Sequence, residues 1–133
     1  MIDIEQDVYL AVRTAVLAAY PKATVSNVEE RSPAKFPFVS VQELNNSTRI
    51  DTIDSGSNER HANVMYQVDC YSNATKGRKS ACKALYAVVD DVMIRAGFAR
   101  SMTNPVNMDR GTVYRITARY VASVDTNNVI YRR

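Results

Sequence analysis

Two strand-like patterns enclose a polar segment that is far too long for an ordinary hairpin turn. Residues 38–44 read as one strand, and residues 62–70 alternate between apolar and polar side chains as a second strand. Between them, residues 45–61 contain only two large aliphatic side chains, Ile50 and Ile53. Hairpin loops usually hold about two to five residues, and much longer loops tend to be functional or disordered. The segment therefore predicts a projecting ribbon or a mobile arm, and both favour a protein that works by contact.

Size and charge exclude several classes of protein. The chain has 133 residues, which suits one domain with a single core. Its 17 basic and 14 acidic residues leave a net charge of +3, and the basic residues are scattered. This balance is too mild to predict nucleic-acid binding. No apolar run approaches the ~20 residues that span a bilayer, so we expect no membrane partner.

The start of the chain and its cysteines indicate synthesis inside the cell. Residues 1–5 are acidic and show no signal-peptide pattern. Two cysteines, Cys70 and Cys82, are too few for a disulfide scaffold. Because both fall on apolar faces of their predicted elements, buried free thiols are favoured over a bridge.

Two helices are predicted. Apolar residues recur at helical spacing over residues 3–20, and Pro21 ends that pattern. A second helix is predicted over residues 76–96, with Asn73 or Thr75 as its cap and Gly97 as its left-handed end.

The other strand patterns are shorter, apart from the last. Residues 24–28 form a weak candidate, and residues 98–102 and 106–108 are predicted as two pieces separated by Pro105. Residues 112–123 alternate strictly, with Arg115, Thr117 and Arg119 on the polar side.

This order of elements predicts an α+β domain over residues 1–124: a mostly antiparallel sheet of about four to five strands, with both helices on one face and residues 45–61 projecting as a long hairpin or loop. Residues 125–133 are predicted as a tail that is flexible or docks on a neighbour. The uncovered face of the sheet is expected to carry a mixed polar surface suited to water or a partner subunit, made by Met65, Gln67, Asp69, Arg115 and Arg119.

No pattern of catalysis emerges. His61 is the only histidine, and no nucleophile elbow accompanies it. The oxygen-bearing residues Asp51, Asp54, Asn58 and Glu59 lie close together, but their spacing does not match a calcium loop. Four glycines form no phosphate-binding motif. We therefore predict no catalytic residue, cofactor or metal, and no enzyme.

Three stretches, a helix and one turn carry a resemblance to a known family. Residues 65–72 (MYQVDCYS) run into an amphipathic helix that ends at Gly97, and residues 36–41 (FPFVSV) precede them. A turn at residues 109–111 (DRG) and the strand 113–120 (VYRITARY) follow. In pattern and order, nearly the whole chain resembles the tail-terminator proteins of long-tailed bacteriophages, also called minor tail or tail-completion proteins.

The resemblance implies a structural virion protein that assembles as a ring, usually a hexamer, at the head-proximal end of the tail. Such a ring caps the tail tube, ends its polymerisation and presents a surface for the head. The implied partners are other copies of the chain, the tail-tube protein and head–neck connector proteins, met first in the host cytoplasm. The family has no catalytic residues to transfer. The candidate contact residues are Arg49, Ile50, Asp51, Asp54, Glu59, Arg60, Arg115, Arg119, Ile130 and Tyr131.

Two alternatives remain open from the sequence. One is a head-completion or neck ring protein on the head side of the same junction. The other is a small metal-dependent module or enzyme that uses Asp51, Asp54, Glu59 and His61. If residues 45–61 form an assembly arm, deleting residues 50–58 is expected to disturb tail length or head attachment.

Overall fold

A single twisted sheet organises the chain. The computed structural model describes residues 2–28, 36–48, 61–74, 77–108, 113–127 and 129–132. The elements are α1 (Glu5–Ala19), β1 (Thr24–Ser26), β2 (Phe38–Thr48), β3 (His61–Ser72), α2 (Arg78–Ala96), β4 (Ala99–Met108), β5 (Val113–Asp125) and β6 (Ile130–Arg132). The strand order is β1-β2-β3-β5-β4, and β6 also pairs with β5. Only the β1–β2 pair is parallel within the described residues.

Both helices pack on one face of the sheet, which confirms the predicted α+β fold. We call this the inner face. α1 contributes Val8, Val12 and Val16 to the core, and α2 contributes Cys82, Leu85, Val89 and Met93. The even-numbered residues of β3 and β5 meet them, including Val64, Tyr66, Val68, Ile116, Ala118 and Tyr120. Burial of these apolar side chains stabilises the fold, with about 1.5–3 kcal/mol for each valine, leucine, isoleucine or methionine before the entropy cost of ordering the chain.

α2 begins and ends at glycines. The predicted cap was wrong in its position: the helix begins after Gly77, which has no side chain, and Thr75 lies outside the described residues. Gly97 ends the helix with φ +107°, as predicted. A Cβ atom at this position would lie 3.1 Å from the carbonyl oxygen of Ile130. Gly97 therefore both ends α2 and lets β6 approach.

The β2–β3 hairpin is longer than its sequence pattern. Its ladder extends to Thr48 and Ala62, so part of the predicted polar segment continues β2. Residues 49–60 lie outside the described residues. The register shifts between Glu43 and Asn45, which makes Leu44 the extra residue of a bulge.

β4 is one strand rather than two short pieces. It is continuous through Pro105, which pairs with Ile116 of β5. Because the described part of the sheet places β4 at an edge, proline is tolerated there without loss of a ladder to a further strand.

The tail pairs with its own subunit. β3 pairs with one side of β5 along its length, and β4 pairs with the other side up to Val121. β6 continues along that second side opposite Ala122–Val124. Ile130 packs on the core beside Gly97, so hydrogen bonds and apolar contact both hold β6 in place.

Candidate functional site

The sheet face opposite the helices, which we call the outer face, has two unlike halves. Side chains of Phe38, Ser40, Asp69, Tyr71, Val113, Arg115 and Thr117 occupy one half, nearest the start of β2. Met65, Gln67, Arg119, Val121 and Met102 occupy the other half. Strand alternation places all of them on the same face. The two halves differ in how many hydrogen bonds their polar side chains make with one another.

A buried carboxylate lies at the centre of the first half. Asp69 is fully buried. Its Oδ1 accepts hydrogen bonds from Nε and Nη2 of Arg115, at 3.0 and 2.8 Å, and from the hydroxyl of Thr117 at 2.6 Å. Its Oδ2 accepts from Nε2 of Gln67 at 3.0 Å and from the hydroxyl of Ser40 at 3.5 Å. A buried charge is tolerated when it is both paired and hydrogen-bonded, and Asp69 meets both conditions.

Aromatic side chains hold Arg115 over this carboxylate. The guanidinium carbon lies 5.4 Å from the centre of the Tyr71 ring, in cation–π geometry. Tyr71 packs edge-on against Phe38, and both belong to a small apolar cluster that includes Val113. The Arg115 side chain is 20% exposed. We therefore infer that Arg115 stabilises the sheet through Asp69.

The second half leaves an arginine largely uncommitted. Among the described residues, the Arg119 side chain donates one hydrogen bond, from Nε to Oε1 of Gln67 at 3.3 Å. Gln67 in turn donates to Asp69, so the first half orients Arg119 through this amide. Arg119 is half-buried, and its two Nη atoms remain as donors.

Half-buried apolar side chains surround Arg119. Met102 is its partner on β4, and Met65 and Val121 face each other one position further along the sheet. We call Met65, Met102, Arg119 and Val121 the Arg119 band. Flexible methionine side chains next to an oriented cation are suited to contact with another protein surface.

Two polar clusters lie on the inner face. Glu43 Oε1 accepts hydrogen bonds from the hydroxyl of Tyr66 and from Asn46, both at 3.2 Å. Burial raises the pKa of Glu43 above its usual 4.5, and these hydrogen bonds only partly oppose the rise. Glu5 lies near this carboxylate and accepts the backbone N–H of Glu43 at 3.1 Å. The cluster therefore ties the start of α1 to β2.

The second inner cluster joins α2 to the sheet. Asp90 Oδ1 accepts hydrogen bonds from the hydroxyls of Tyr120 at 2.6 Å and Tyr86 at 3.2 Å. Burial, together with the hydrogen bond to Asp90, raises the pKa of Tyr120 well above its ordinary value. A hydroxyl that holds its proton this firmly is a poor proton donor to a substrate and stays un-ionised at neutral pH. Its hydrogen bond to Asp90 joins α2 to β5.

The thiols are buried, as predicted. Cys70 and Cys82 are both free, and the Cys82 thiol lies 3.2 Å from the carbonyl oxygen of Cys70. Burial raises the pKa of Cys82 to about 12 and that of Cys70 well above its ordinary value. Neither sulfur is therefore an available thiolate at neutral pH.

Apolar hollows lie at the end of α1. One of about 300 Å³ is lined by Ala19, Tyr20, Pro21, Lys22, Ala23 and Pro37. An adjoining one of about 260 Å³ shares Tyr20 and Pro37 and reaches Leu85.

No described group of three or more His, Cys, Asp or Glu residues has the arrangement of a metal site. None of the helices in the described residues is both long and apolar enough to cross a bilayer.

The predicted contact residues are distributed unevenly. Arg115 and Arg119 lie four residues apart on the outer face, where Arg115 pairs with Asp69 and Arg119 donates a single hydrogen bond among the described residues. Ile130 is half-buried against the core, and Tyr131 belongs to β6 beside it. The remaining candidates, Arg49, Ile50, Asp51, Asp54, Glu59 and Arg60, lie outside the described residues.

The sequence pattern did not indicate two of the hydrogen-bond donors to Asp69. Ser40 and Thr117 are ordinary polar strand residues in the sequence, yet both are almost fully buried and donate to its carboxylate. In the sequence, each of them stands at an alternating strand position that could face the same side of the sheet as Asp69. The strand register, which aligns all three, was needed to use that signal.

The similarity of this chain to known proteins lies in its fold rather than in its sequence. No family model matches it, and no curated protein matches its sequence. A solved chain from the virion of a native gene transfer agent particle superposes with a TM-score of 0.68 over 92% of this chain and 94% of that chain, at 20% identity. The two chains share a fold. A second solved chain, 16% identical over 87% of this chain and 94% of its own, reaches a TM-score of only 0.47 and carries no argument here.

Proposed function

We propose that this protein is a structural component of a phage or phage-like virion, and that it forms a ring that caps the tail tube. The observation that carries the proposal is the shared fold with a chain of a gene transfer agent virion, which spans nearly the full length of both chains. The resemblance of the sequence to tail-terminator proteins adds the position in the particle.

The outer face supports a role in assembly. Its Arg119 band offers an oriented cation among half-buried apolar side chains, which is the composition of a protein contact. The Asp69 network beside it ties the strands of that surface together, because each carboxylate oxygen has a partner on a neighbouring strand. In this proposal the protein has no enzymatic activity, and its partners are further copies of itself, tail-tube protein and head–neck proteins.

Binding to tube ends tests the proposal. The purified protein is mixed with polymerising tail-tube protein, and tube lengths and ends are recorded by negative-stain electron microscopy. Capping is expected to shorten the tubes as the ratio of this protein to tube protein rises, with a ring visible at one end. A tube-length distribution unchanged at saturating protein would contradict the proposal.

The same preparation separates the tail role from a role on the head side. A second sample replaces the tube protein with portal complexes of the same phage. Binding only to portal complexes would move the ring to the neck, whereas binding to tube ends supports the tail terminator. Bovine serum albumin at equal concentration controls for crowding and nonspecific adsorption.

A further inference from the structure

The exposed side of α1 carries a leucine at its centre, with aspartates towards the start of the helix and Arg13 beyond the leucine. Asp7, Leu10 and Thr14 recur at helical spacing, Asp3 precedes the helix, and all four are exposed, with Leu10 43% exposed. They lie opposite Val8, Val12 and Val16, which face the core. Among the described residues, Asp7 has no ion-pair partner. We call these four residues the α1 stripe.

The α1 stripe and the Arg119 band lie on opposite surfaces of the subunit. α1 packs on the inner face of the sheet, so its exposed side points away from the sheet. The Arg119 band lies on the outer face. One surface carries Asp7 next to an exposed leucine, and the other carries Arg119 next to two methionines. These two charged side chains are therefore opposite in sign and lie on opposite surfaces of the subunit.

We propose that the α1 stripe of one copy docks on the Arg119 band of the next copy, with Leu10 against Met65 and Asp7 close to the free Nη atoms of Arg119. This inference rests on the proposed ring and names its subunit contact. A contact between two different patches is heterologous, so it repeats from copy to copy and makes a closed ring when the rotation closes.

Charge disfavours one symmetric pairing of these surfaces. Two Arg119 bands face to face would bring two arginines together. Like charges brought together at an interface disfavour that pairing, whereas the head-to-tail pairing matches opposite charges. The apolar neighbours Met65, Met102 and Val121 would lose water in the same contact, which supplies the non-directional part of the affinity.

Cross-linking between two variants tests the contact directly. Leu10→Cys and Met65→Cys chains are prepared separately, mixed in equal amounts at high concentration with tube ends present, and treated with a short bis-maleimide reagent. A covalent dimer is expected in the mixture alone. Each variant by itself and the wild-type protein are expected to stay uncross-linked, because Cys70 and Cys82 are buried with raised pKa values.

A chain that carries both cysteines shows how far the contact repeats. The two positions lie on opposite surfaces of one subunit, so a ladder of covalent oligomers is expected, ending at the ring size. A cross-linked dimer of Leu10→Cys alone would overturn the head-to-tail arrangement. Absence of any product in the mixture would also overturn it.

Charge exchange provides a second, independent readout. Arg119→Glu and Asp7→Arg are each expected to weaken self-association roughly tenfold, measured by sedimentation velocity over a concentration series. The double variant is expected to recover most of the loss. Lys83→Glu, the same charge change at an exposed position of α2, is the matched control and should leave association unchanged. If the losses of self-association in the two single variants simply add in the double variant, the pairing is overturned.

The experiments distinguish failure of this subunit contact from failure of the proposed tail-terminator function. Tube capping without the Leu10–Met65 cross-link would retain the terminator role and overturn this contact. A cross-link without capping would support the contact and contradict the terminator role.

Discussion

Arg115 and Arg119 lie four residues apart on the same face of β5, yet they have different surroundings. Arg115 places two nitrogens on the buried carboxylate of Asp69 and lies over Tyr71. Among the described residues, Arg119 spends one nitrogen on the amide of Gln67. The same residue type on the same strand thus stabilises the sheet at one position and remains available for a partner at the other. The two arginines differ because Arg115 lies beside the buried carboxylate of Asp69, whereas Arg119 lies beside the amide of Gln67.

Removal of the buried carboxylate of Asp69 is expected to lower the free energy of unfolding more than any other change considered below. Asp69→Ala leaves Arg115 mostly buried without its counter-charge, and the free energy of unfolding is expected to fall by about 4 kcal/mol. Urea denaturation followed by circular dichroism measures it. Asp91→Ala is the matched control: Asp91 also pairs with an arginine, Arg95, at 3.1 Å, but on an exposed helix surface. Loss of that pair should cost within about 0.5 kcal/mol. Equal losses would show that burial is not the deciding factor.

Truncation of each arginine compares the two positions directly. Arg115→Gln should lower the free energy of unfolding by about 2–3 kcal/mol, because Asp69 loses its cation but keeps its hydroxyl and amide donors. Arg119→Gln should change it by less than about 0.5 kcal/mol, since its hydrogen bond to Gln67 is long and partly exposed. Thermal and urea unfolding of both variants measure the difference. Similar losses at both positions would remove the distinction between them.

A single donor to Asp69 sharpens the comparison. Thr117→Val keeps the side-chain shape and removes the hydroxyl that lies 2.6 Å from Oδ1. The expected loss is about 1–2 kcal/mol, as for a buried hydrogen bond to a charged group. Thr117→Ser retains the hydroxyl and is the control for the methyl group. If Ser is the more destabilising substitution, apolar packing rather than hydrogen bonding dominates at this position.

The smallest expected effect concerns a half-buried acid that lacks such a cation in the described residues. Burial raises the pKa of Glu43, so the folded protein holds this proton more tightly than the unfolded chain does. The resulting stabilisation is present below the unfolded pKa of about 4.5 and is lost as pH rises through the raised value.

The glutamine variant isolates this titration. Glu43→Gln keeps an oxygen that accepts from Tyr66 and Asn46 but cannot ionise. The stability of wild type relative to Glu43→Gln is therefore expected to decline as pH rises above about 4.5, measured as urea midpoints from about pH 4 to pH 7. Parallel pH profiles for the two proteins would contradict the assignment.

Periodicity and glycine predicted much of the framework. Helical spacing of apolar residues located both helices to within about two or three residues. Strict alternation located β5, and Gly97 ends α2 in the left-handed conformation that its position predicted. The β2–β3 hairpin was recognised, but its ladder runs further into the polar segment than hydrophobicity indicated. Ladder hydrogen bonds between strands tolerate polar side chains, so the sequence pattern underestimates such extensions.

Other features were set by packing that local patterns do not encode. Pro105 was expected to interrupt a strand, but β4 continues through it because the strand lies at an edge of the described sheet. The tail was predicted to be flexible or to dock on a neighbour, and the structure pairs its residues 130–132 with the side of β5 that β4 leaves open. The unpaired stretch of β5 that β6 occupies is defined only when β4 has paired with the rest of that side.

The sequence by itself determined which elements form and which side of each strand is apolar, because both follow from the spacing of side chains along one segment. It also placed Arg115 and Arg119 together on the polar side of β5. Only the tertiary structure decided which of them is engaged, because strand register brings Asp69 opposite Thr117 and beside Arg115, while Arg119 lies opposite Gln67. Burial and charge pairing depend on neighbours from several strands, and those neighbours become adjacent only when the sheet has formed.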